Sequence, residues 1–175
     1  MLFSKEFPVG IDIPIDKVQK KLHAAFNEAW GGLECYPRCY VYDTEQGCTI
    51  AHFLNNLDYE PVIHSDKTKC FFVLKPEMKH IGGNYYTAEL ELFFIVNLVE
   101  AKEAIEHRAD EEVRRDVLNV LNMIPSINVK SVMFNQEVIF KDYAYSIIDD
   151  LQPNHCFKIT LALEYDINEQ ICLTN

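Results

Sequence analysis

A long segment of the chain that begins at Tyr86 alternates between hydrophobic and polar side chains. Its apolar positions define one buried face of a β-strand. That face consists of Tyr86, Ala88, Leu90, Leu92, Phe94, Val96 and Leu98. The opposite face is polar as far as Glu91 and becomes apolar at Phe93 and Ile95. This change indicates that half of the strand is covered on both sides, either by another part of the chain or by a second subunit.

Two segments show the spacing of apolar residues that is typical of amphipathic helices. The first covers residues 16–30, with Asp16 placed as its N-cap and Gly31 following as a stop. The apolar stripe along one side of this helix contains Val18, Leu22, Ala25, Phe26, Ala29 and Trp30. The second opens near residue 107 and ends at Pro125. Its stripe contains Val113, Val117, Val120, Leu121 and Ile124.

Composition and alternation predict further strands, over residues 36–43, 60–64, 69–75, 129–134, 138–140 and 157–165. Residues 60–64 and 69–75 form a predicted hairpin with a turn at 65–67, and residues 44–59 and 76–84 are predicted loops. Together these elements predict an α+β fold. It has a mainly antiparallel sheet of about five or six strands with two principal helices packed on one face.

The length of 175 residues favours a single domain over residues 1–175. Pro8 and Pro14 restrict the backbone around them, so residues 1–14 are predicted to form an extended N-terminal arm. Residues 16–166 form the predicted α+β core, and residues 167–175 a C-terminal tail.

The formal net charge of −11 opposes binding to a nucleic-acid backbone, which requires clustered lysines and arginines. We therefore expect no sequence-specific nucleic-acid binding. The longest apolar run, residues 92–96, is far shorter than the roughly 20 residues of a membrane-spanning helix. The first residues lack the pattern of a secretory signal, so we expect neither membrane insertion nor export, and we expect reduced cysteines.

Residues that could carry chemistry are few. Cys35, Cys39, Cys48 and His52 come nearest to a zinc site, but they lack the spacing of paired ligands on tight turns. His107 precedes a run of carboxylates and could act as a base, yet at helical spacing such residues usually form ion pairs. We therefore predict no catalytic residue, no metal ligand and no cofactor. A small zinc-dependent or acid/base enzyme is the alternative from another class.

The order of the predicted elements resembles a known family. A core helix and a sheet with a long alternating strand are followed by a helix that opens with residues 107–112 and a terminal strand that ends in residues 164–166. Over residues 12–166 this order is similar to that of the tail-terminator and tail-completion proteins of bacteriophages. Those proteins are small α+β subunits that form rings between the tail tube and the head connector.

The resemblance implies a structural virion protein with no enzymatic step, assembled in the host cytoplasm into a hexameric or dodecameric ring around the DNA channel. Its partners would be copies of itself and other phage tail-tube or connector proteins. A portal-adjacent head–tail connector or adaptor ring is the nearest alternative. An adaptor domain that binds another protein by strand addition is a further alternative.

Two groups of residues follow from the ring hypothesis. Because closed rings use heterologous interfaces, apolar residues on the arm and on the polar face of the long strand are candidate subunit contacts. These are Phe3, Phe7, Ile11, Phe93 and Ile95. An acidic channel would repel DNA phosphates, and its candidate residues are Asp149, Asp150, Glu164 and Asp166.

Overall fold

The computed structural model describes residues 1–45, 47–53, 58–63, 67–102, 109–141, 143 and 154–169. These ranges contain seven strands: β1 (Glu34–Thr44), β2 (Gly47–Phe53), β3 (Tyr59–Pro61), β4 (Lys69–Gly82), β5 (Tyr85–Asn97), β6 (Ile127–Met133) and β7 (Asn154–Asp166). They also contain four helices: α1 (Asp12–Phe26), α2 (Leu98–Ala101), α3 (Ala109–Asn122) and α4 (Gln136–Ile139).

All seven strands belong to one sheet, in the order β3-β2-β1-β4-β5-β7-β6. β1 and β4 are parallel, whereas the other neighbouring strands are antiparallel. The sheet is therefore mixed, and the prediction of a mainly antiparallel sheet of about five or six strands with two principal helices is wrong. The parallel pair arises because β2 and β3 pair on the outer side of β1. The chain then crosses to the inner side of β1 before β4 begins.

β5 lies at the centre of the sheet. Each of its residues is in register with a residue of β7, and β4 pairs with its other edge. The predicted alternating face of β5 is confirmed, because its side chains enter the larger of two hydrophobic cores. The predicted inward face of β7 enters the same core, where Phe157 stacks on Phe94 with ring centroids 4.7 Å apart.

α1 and α3 cover this larger core. Val113, Val117 and Leu121 of α3 are fully buried, which confirms the predicted stripe of that helix. The stripe of α1 is confirmed in part, because Val18 and Leu22 are buried while Ala25 and Ala29 are exposed.

The limits of α1 differ from the prediction by four residues at each end. The helix begins at Asp12, after Ile11, whose side chain makes no capping hydrogen bond. Asp16 is therefore not the N-cap; it lies within the helix and pairs with Lys20 at 2.7 Å. Pro14 is accommodated because the first helical turn needs no intrahelical N–H donor at that position. Pro14, which predicts an extended chain from the sequence, instead belongs to the first turn of the helix.

A second core lies on the opposite face of the sheet. Phe93 stacks on Phe71 of β4 at 5.0 Å, and the ring of Phe140, just after α4, lies 5.9 Å from that of Phe93. The polar half of this face begins at Glu91, which pairs with Lys158 at 2.8 Å. The chain itself therefore covers the half of β5 that was predicted to be buried on both sides.

A bulge in β1 changes which residues share a face. Cys35 is in register with Cys70 and Arg38 with Phe72, so three steps along β1 match two steps along β4. Pro37 lies in this bulge, where the loss of a backbone donor costs least. The extra residue directs Cys35 into the larger core and Cys39 into the second core, although an unbroken strand would place both on the same face.

Several local predictions are corrected. Part of the predicted loop over residues 44–59 forms β2, and β3 pairs with β2, so it forms no hairpin with residues 69–75. The predicted turn at 65–67 lies mostly outside the described residues. β4 continues to Gly82, which leaves only a short turn at Gly83, where φ is +58°, before β5. Residues 138–140, a predicted strand, overlap α4, because a short apolar run does not distinguish helix from strand.

The N-terminal segment lies beside the start of β1. The N–H of Phe3 donates to the carbonyl of Cys35 at 2.9 Å, and the N–H of Cys35 donates to the carbonyl of Met1 at 2.9 Å. The buried Gln19 of α1 donates its amide to the carbonyls of Phe3 and Cys35, at 2.7 and 2.8 Å. The predicted extended arm therefore ends before Asp12, and one amide joins its start to both α1 and β1.

We expect Gln19→Ala to lower the free energy of unfolding by about 2–3 kcal/mol, because two carbonyls lose a donor in a largely buried site. Urea denaturation measures this change, and hydrogen exchange should show faster exchange at residues 1–7. Lys21→Ala on the exposed side of the same helix is the control and should change stability by less than about 0.5 kcal/mol. Equal effects of the two variants would contradict the role assigned to Gln19.

Candidate functional site

The five candidate subunit contacts lie in three different environments. Phe7 is exposed, and Phe3 is half-buried and stacks on Tyr36 at 4.4 Å. Ile11 belongs to the larger core. Phe93 and Ile95 are 0% and 2% exposed within the chain itself. The second core of the same chain therefore buries Phe93 and Ile95, and their burial requires no second subunit.

The acidic candidates are only partly described. Asp149 and Asp150 lie outside the described residues. Glu164 is exposed on β7, and Asp166 at the end of that strand accepts a hydrogen bond from the backbone N–H of Asn168 at 2.8 Å. Both therefore lie at the end of β7 that pairs with the start of β5. Whether this end faces a channel stays a prediction.

The structure does not bring together the cysteines considered for zinc. Cys35 and Cys39 lie on opposite faces of the sheet. Cys48 lies near the β1–β2 turn, where its thiol is 2.8 Å from Asp43 Oδ1. No three Cys, His, Asp or Glu side chains in the described ranges are placed to hold a metal ion. His107, the candidate base, lies outside those ranges.

Burial also raises the pKa of two core thiols. Cys70 lies against Cys35 with their sulfurs 3.3 Å apart, and burial raises its pKa well above the usual value. Burial likewise raises the pKa of Cys39. A thiolate is the form that attacks substrates and binds metals, and it is disfavoured at both positions.

An exposed cluster of aromatic rings covers one face of the β1–β2–β3 end of the sheet. The ring of Tyr59 lies 5.9 Å from Tyr40, 6.2 Å from Tyr42 and 5.3 Å from Phe53. These four residues, called here the aromatic face, are between 38% and 50% exposed. Large contiguous patches of exposed apolar surface are typical of sites of interaction.

A second group of exposed apolar residues, close together in sequence, lies at the other end of the sheet. It consists of Met133, Phe134 and Val138, which join the end of β6 to α4, and it is called here the β6-end patch. Phe134 is 61% exposed, and the guanidinium of Arg114 lies 4.6 Å from the centre of its ring. β3 and β6 are the two outermost strands, so the two surfaces lie at opposite ends of the sheet.

Arg114 also joins the most strongly perturbed histidine, His155, to α3. It donates to Asp110 and to Nε2 of His155, each at 2.8 Å. Burial lowers the pKa of His155 to about 4; the charge of Arg114 adds to this effect, and Asp110 opposes it. The imidazole is thus neutral at pH 7 with its Nε2 already accepting a hydrogen bond, a geometry that supports packing rather than proton transfer.

Comparisons with known proteins identify no family for this chain. A scan against protein-family models and a search of curated proteins each found no match. None of the helices in the described ranges has the length and apolar character needed to cross a membrane.

Sequence reasoning missed the aromatic face. Its signal is present in the alternation of Tyr40 and Tyr42, but the composition of residues 44–59 predicts a loop. Without β2 and β3 the rings of Phe53 and Tyr59 had no predicted neighbours. Only the pairing of Phe53 with Tyr59 across β2 and β3 assembles the surface.

We expect Phe93→Ala to lower the free energy of unfolding by about 3–5 kcal/mol, because it leaves a cavity beside Phe71 and Phe140. Urea denaturation of the purified chain measures this loss. Phe7→Ala, which truncates an exposed ring, should change stability by less than about 0.5 kcal/mol. A Phe93→Ala variant that keeps full stability but fails to associate would show that Phe93 contacts another subunit.

We expect the stability of the protein to fall as the pH falls from 6.5 towards about 4. In this window the unfolded state binds a proton at residue 155 and the folded state does not, so acid favours unfolding. Above pH 6.5 residue 155 is neutral in both the folded and the unfolded state, so no stability is lost at this site. Because solvent screens this partly exposed ring, protonation of His155 should lower the free energy of unfolding by about 2 kcal/mol.

Urea denaturation at several pH values, on wild type and on His155→Gln, isolates this contribution. Burial also lowers the pKa of His23 and of His52, but those residues add the same slope to both proteins. The difference between wild type and variant should therefore shrink as the pH falls through the window. Parallel pH profiles would show that His155 titrates normally.

Proposed function

We propose that this chain is a structural subunit that assembles head to tail into a closed ring and performs no chemical step. The observation that carries the proposal is the presence of two different exposed apolar surfaces, the aromatic face and the β6-end patch, at opposite ends of one sheet. In a closed ring, one patch of each subunit binds a different patch of the next. With six strand spacings of about 4.8 Å, β3 and β6 are roughly 29 Å apart, enough to contact separate neighbours.

The charges beside the two surfaces are complementary. Asp58 and Glu60, on either side of Tyr59 in sequence, are exposed. Near the β6-end patch Lys130 on β6 and Lys141 after α4 are exposed, and so is Glu137 of α4, so positive charge predominates there only by a small margin. Opposite charges around two apolar patches favour contact between unlike surfaces and disfavour contact between like ones. This supports a head-to-tail arrangement over a two-fold symmetric dimer.

The class of ring follows from the resemblance to phage tail terminators. In this proposal the ring lies at the head–tail junction of a virion, contacts tail-tube or connector proteins and surrounds the DNA channel. The net charge of −11 fits a channel that DNA passes without binding, because carboxylates repel phosphates. A portal-adjacent connector ring would use the same surfaces.

We expect the purified chain to form a ring whose mass is an integral multiple of the 20.3 kDa subunit, measured by light scattering and native mass spectrometry. Tyr42→Ala with Tyr59→Ala removes one surface, and Met133→Ala with Phe134→Ala removes the other. Each double variant should be monomeric, because truncating an interface aromatic often costs about 2 kcal/mol or more. Electron micrographs of the wild type should show a central hole.

Mixing the two double variants tests the head-to-tail arrangement directly. Each retains the surface that the other lacks, so the mixture should contain one-to-one dimers that grow no further. Val99→Ala, at an exposed apolar residue on α2, is the control and should leave the ring intact. A monomeric wild type would refute the ring. Self-association of either double variant would show that the interface uses one surface twice.

A further inference from the structure

Two cysteines of the larger core face each other across the one parallel pair among the seven described strands. Cys35 of β1 is in register with Cys70 of β4, and both side chains enter the same core. Their sulfurs are 3.3 Å apart, and neither thiol is in a disulfide. Neighbouring strands place partner Cα atoms about 4.8 Å apart. This separation lies within the range of about 4.4–6.8 Å that a disulfide spans, so the backbone distance already suits a bond between the two sulfurs.

The other described cysteines are not placed to compete for either sulfur. Cys39 and Cys156 belong to the second core, on the opposite face of the sheet. Cys48 lies near the β1–β2 turn, with its thiol 2.8 Å from Asp43 Oδ1. An oxidant that reaches the larger core therefore meets two thiols that are already in contact with each other.

The two cysteines lie at the junction between two parts of the sheet. β1, β2 and β3 carry the aromatic face, and only the pairing of β1 with β4 joins these three strands to the other four. β1 and β4 stay in register only as far as Cys39 and Val73, whereas β5 and β7 stay in register along the whole of β7. A covalent bond between β1 and β4 would hold this short junction closed.

The N-terminal segment controls access to the two thiols, which are 0% exposed. Met1 and Phe3 form hydrogen bonds with the backbone of Cys35, and Leu2 packs against the larger core. The amide of Gln19 holds this segment against β1. Chain ends open at a lower free energy than cores do. Release of the segment and of the start of β1 is therefore the step that exposes the thiols.

We propose that Cys35 and Cys70 form a reversible disulfide when the chain meets a disulfide oxidant, and that opening of the N-terminal segment sets the rate. In the open state one thiol loses its proton and attacks a sulfur of the oxidant, which releases one small thiolate and leaves a mixed disulfide. The second cysteine, deprotonated in turn, attacks the protein sulfur of that mixed disulfide and releases the second small thiolate. The two thiolates take up the two protons, so the oxidant gains two electrons and the chain loses two hydrogen atoms.

Burial explains why the closed structure keeps both thiols reduced. It raises the pKa of Cys70 well above the usual value, so the thiolate that attacks a disulfide does not form in the core. Opening removes this burial and restores an ordinary thiol. The device does not depend on ring formation.

Oxidised glutathione, added to the folded chain, tests the proposal. Free thiols are then blocked with iodoacetamide, and the tryptic peptides are identified by mass spectrometry. Trypsin cleaves after Arg38 and Lys69, so each of the two cysteines lies in a peptide with no other cysteine, residues 22–38 and residues 70–79. We expect these two peptides to be joined, with a mass two hydrogen atoms below their sum, and dithiothreitol should separate them. Glutathione adducts alone, free thiols at both positions or linkage to another cysteine would overturn the proposal.

Matched cysteine variants check the assignment. Cys39→Ala removes the other core thiol of β1 and should leave the linkage at its wild-type rate, whereas Cys70→Ala should abolish it. The oxidised wild type should melt roughly 5–10 °C above the reduced protein, because the bond constrains the unfolded chain. Oxidised Cys70→Ala should show no such rise. If Cys70→Ala fails to fold, the linked peptides of the wild type decide the assignment, and an unchanged melting temperature would refute the closing of the β1–β4 junction.

The variant Gln19→Ala tests the route of access. Loss of its amide frees the segment more often, so the linked peptides should form about tenfold faster or more. Lys21→Ala, on the exposed side of α1, should keep the wild-type rate. Phe93→Ala lowers the stability of the second core without touching the segment and should accelerate the linkage less than Gln19→Ala does. A larger effect of Phe93→Ala, or no effect of Gln19→Ala, would show that the segment does not control access.

Discussion

The burial of β5 on both faces is the constraint on which the rest of the structure depends. One set of its side chains packs under α1 and α3, and Phe93 and Ile95 pack under residues around α4. A strand that is apolar on both faces needs a cover on each side, and the chain supplies both covers. This requirement sets the positions of the flanking strands, and the two ends of the sheet carry part of the apolar surface that is still exposed.

That distribution is the basis of the proposed assembly through surface contacts. The charged pairs near the cores are used to hold elements together, as Glu91 with Lys158 and Asp110 with Arg114 show. The most perturbed histidine accepts a hydrogen bond from an arginine. By contrast, the aromatic face and the β6-end patch stay largely exposed, although Arg114 lies over the ring of Phe134. Their difference in composition and neighbouring charge supports the proposed contact between unlike surfaces of successive subunits.

The N-terminal segment and α1 border a groove of about 680 Å³ beside β1 and β2. Gln19 fixes this segment against β1, and the space left between the segment, α1 and β2 brings Asp16 close to aromatic rings. From the sequence, Asp16 was interpreted as a helix cap, a role that would have satisfied its carboxylate locally. Its actual position within α1 leaves its Oδ1 buried without a hydrogen-bond partner among the described residues.

The sequence alone determined the elements whose residues share a face by local geometry. The two-residue alternation of β5 and β7 and the helical stripe of α3 were predicted correctly, because backbone dihedrals fix which side chains lie together. The tertiary structure alone decided the parallel pairing of β1 with β4, the partner of β3 and the bulge at Pro37, since these depend on hydrogen bonds between distant segments. It also decided that Phe93 is core and that Tyr42 is surface, because an aromatic side chain in an alternating strand is buried only where another part of the fold covers it.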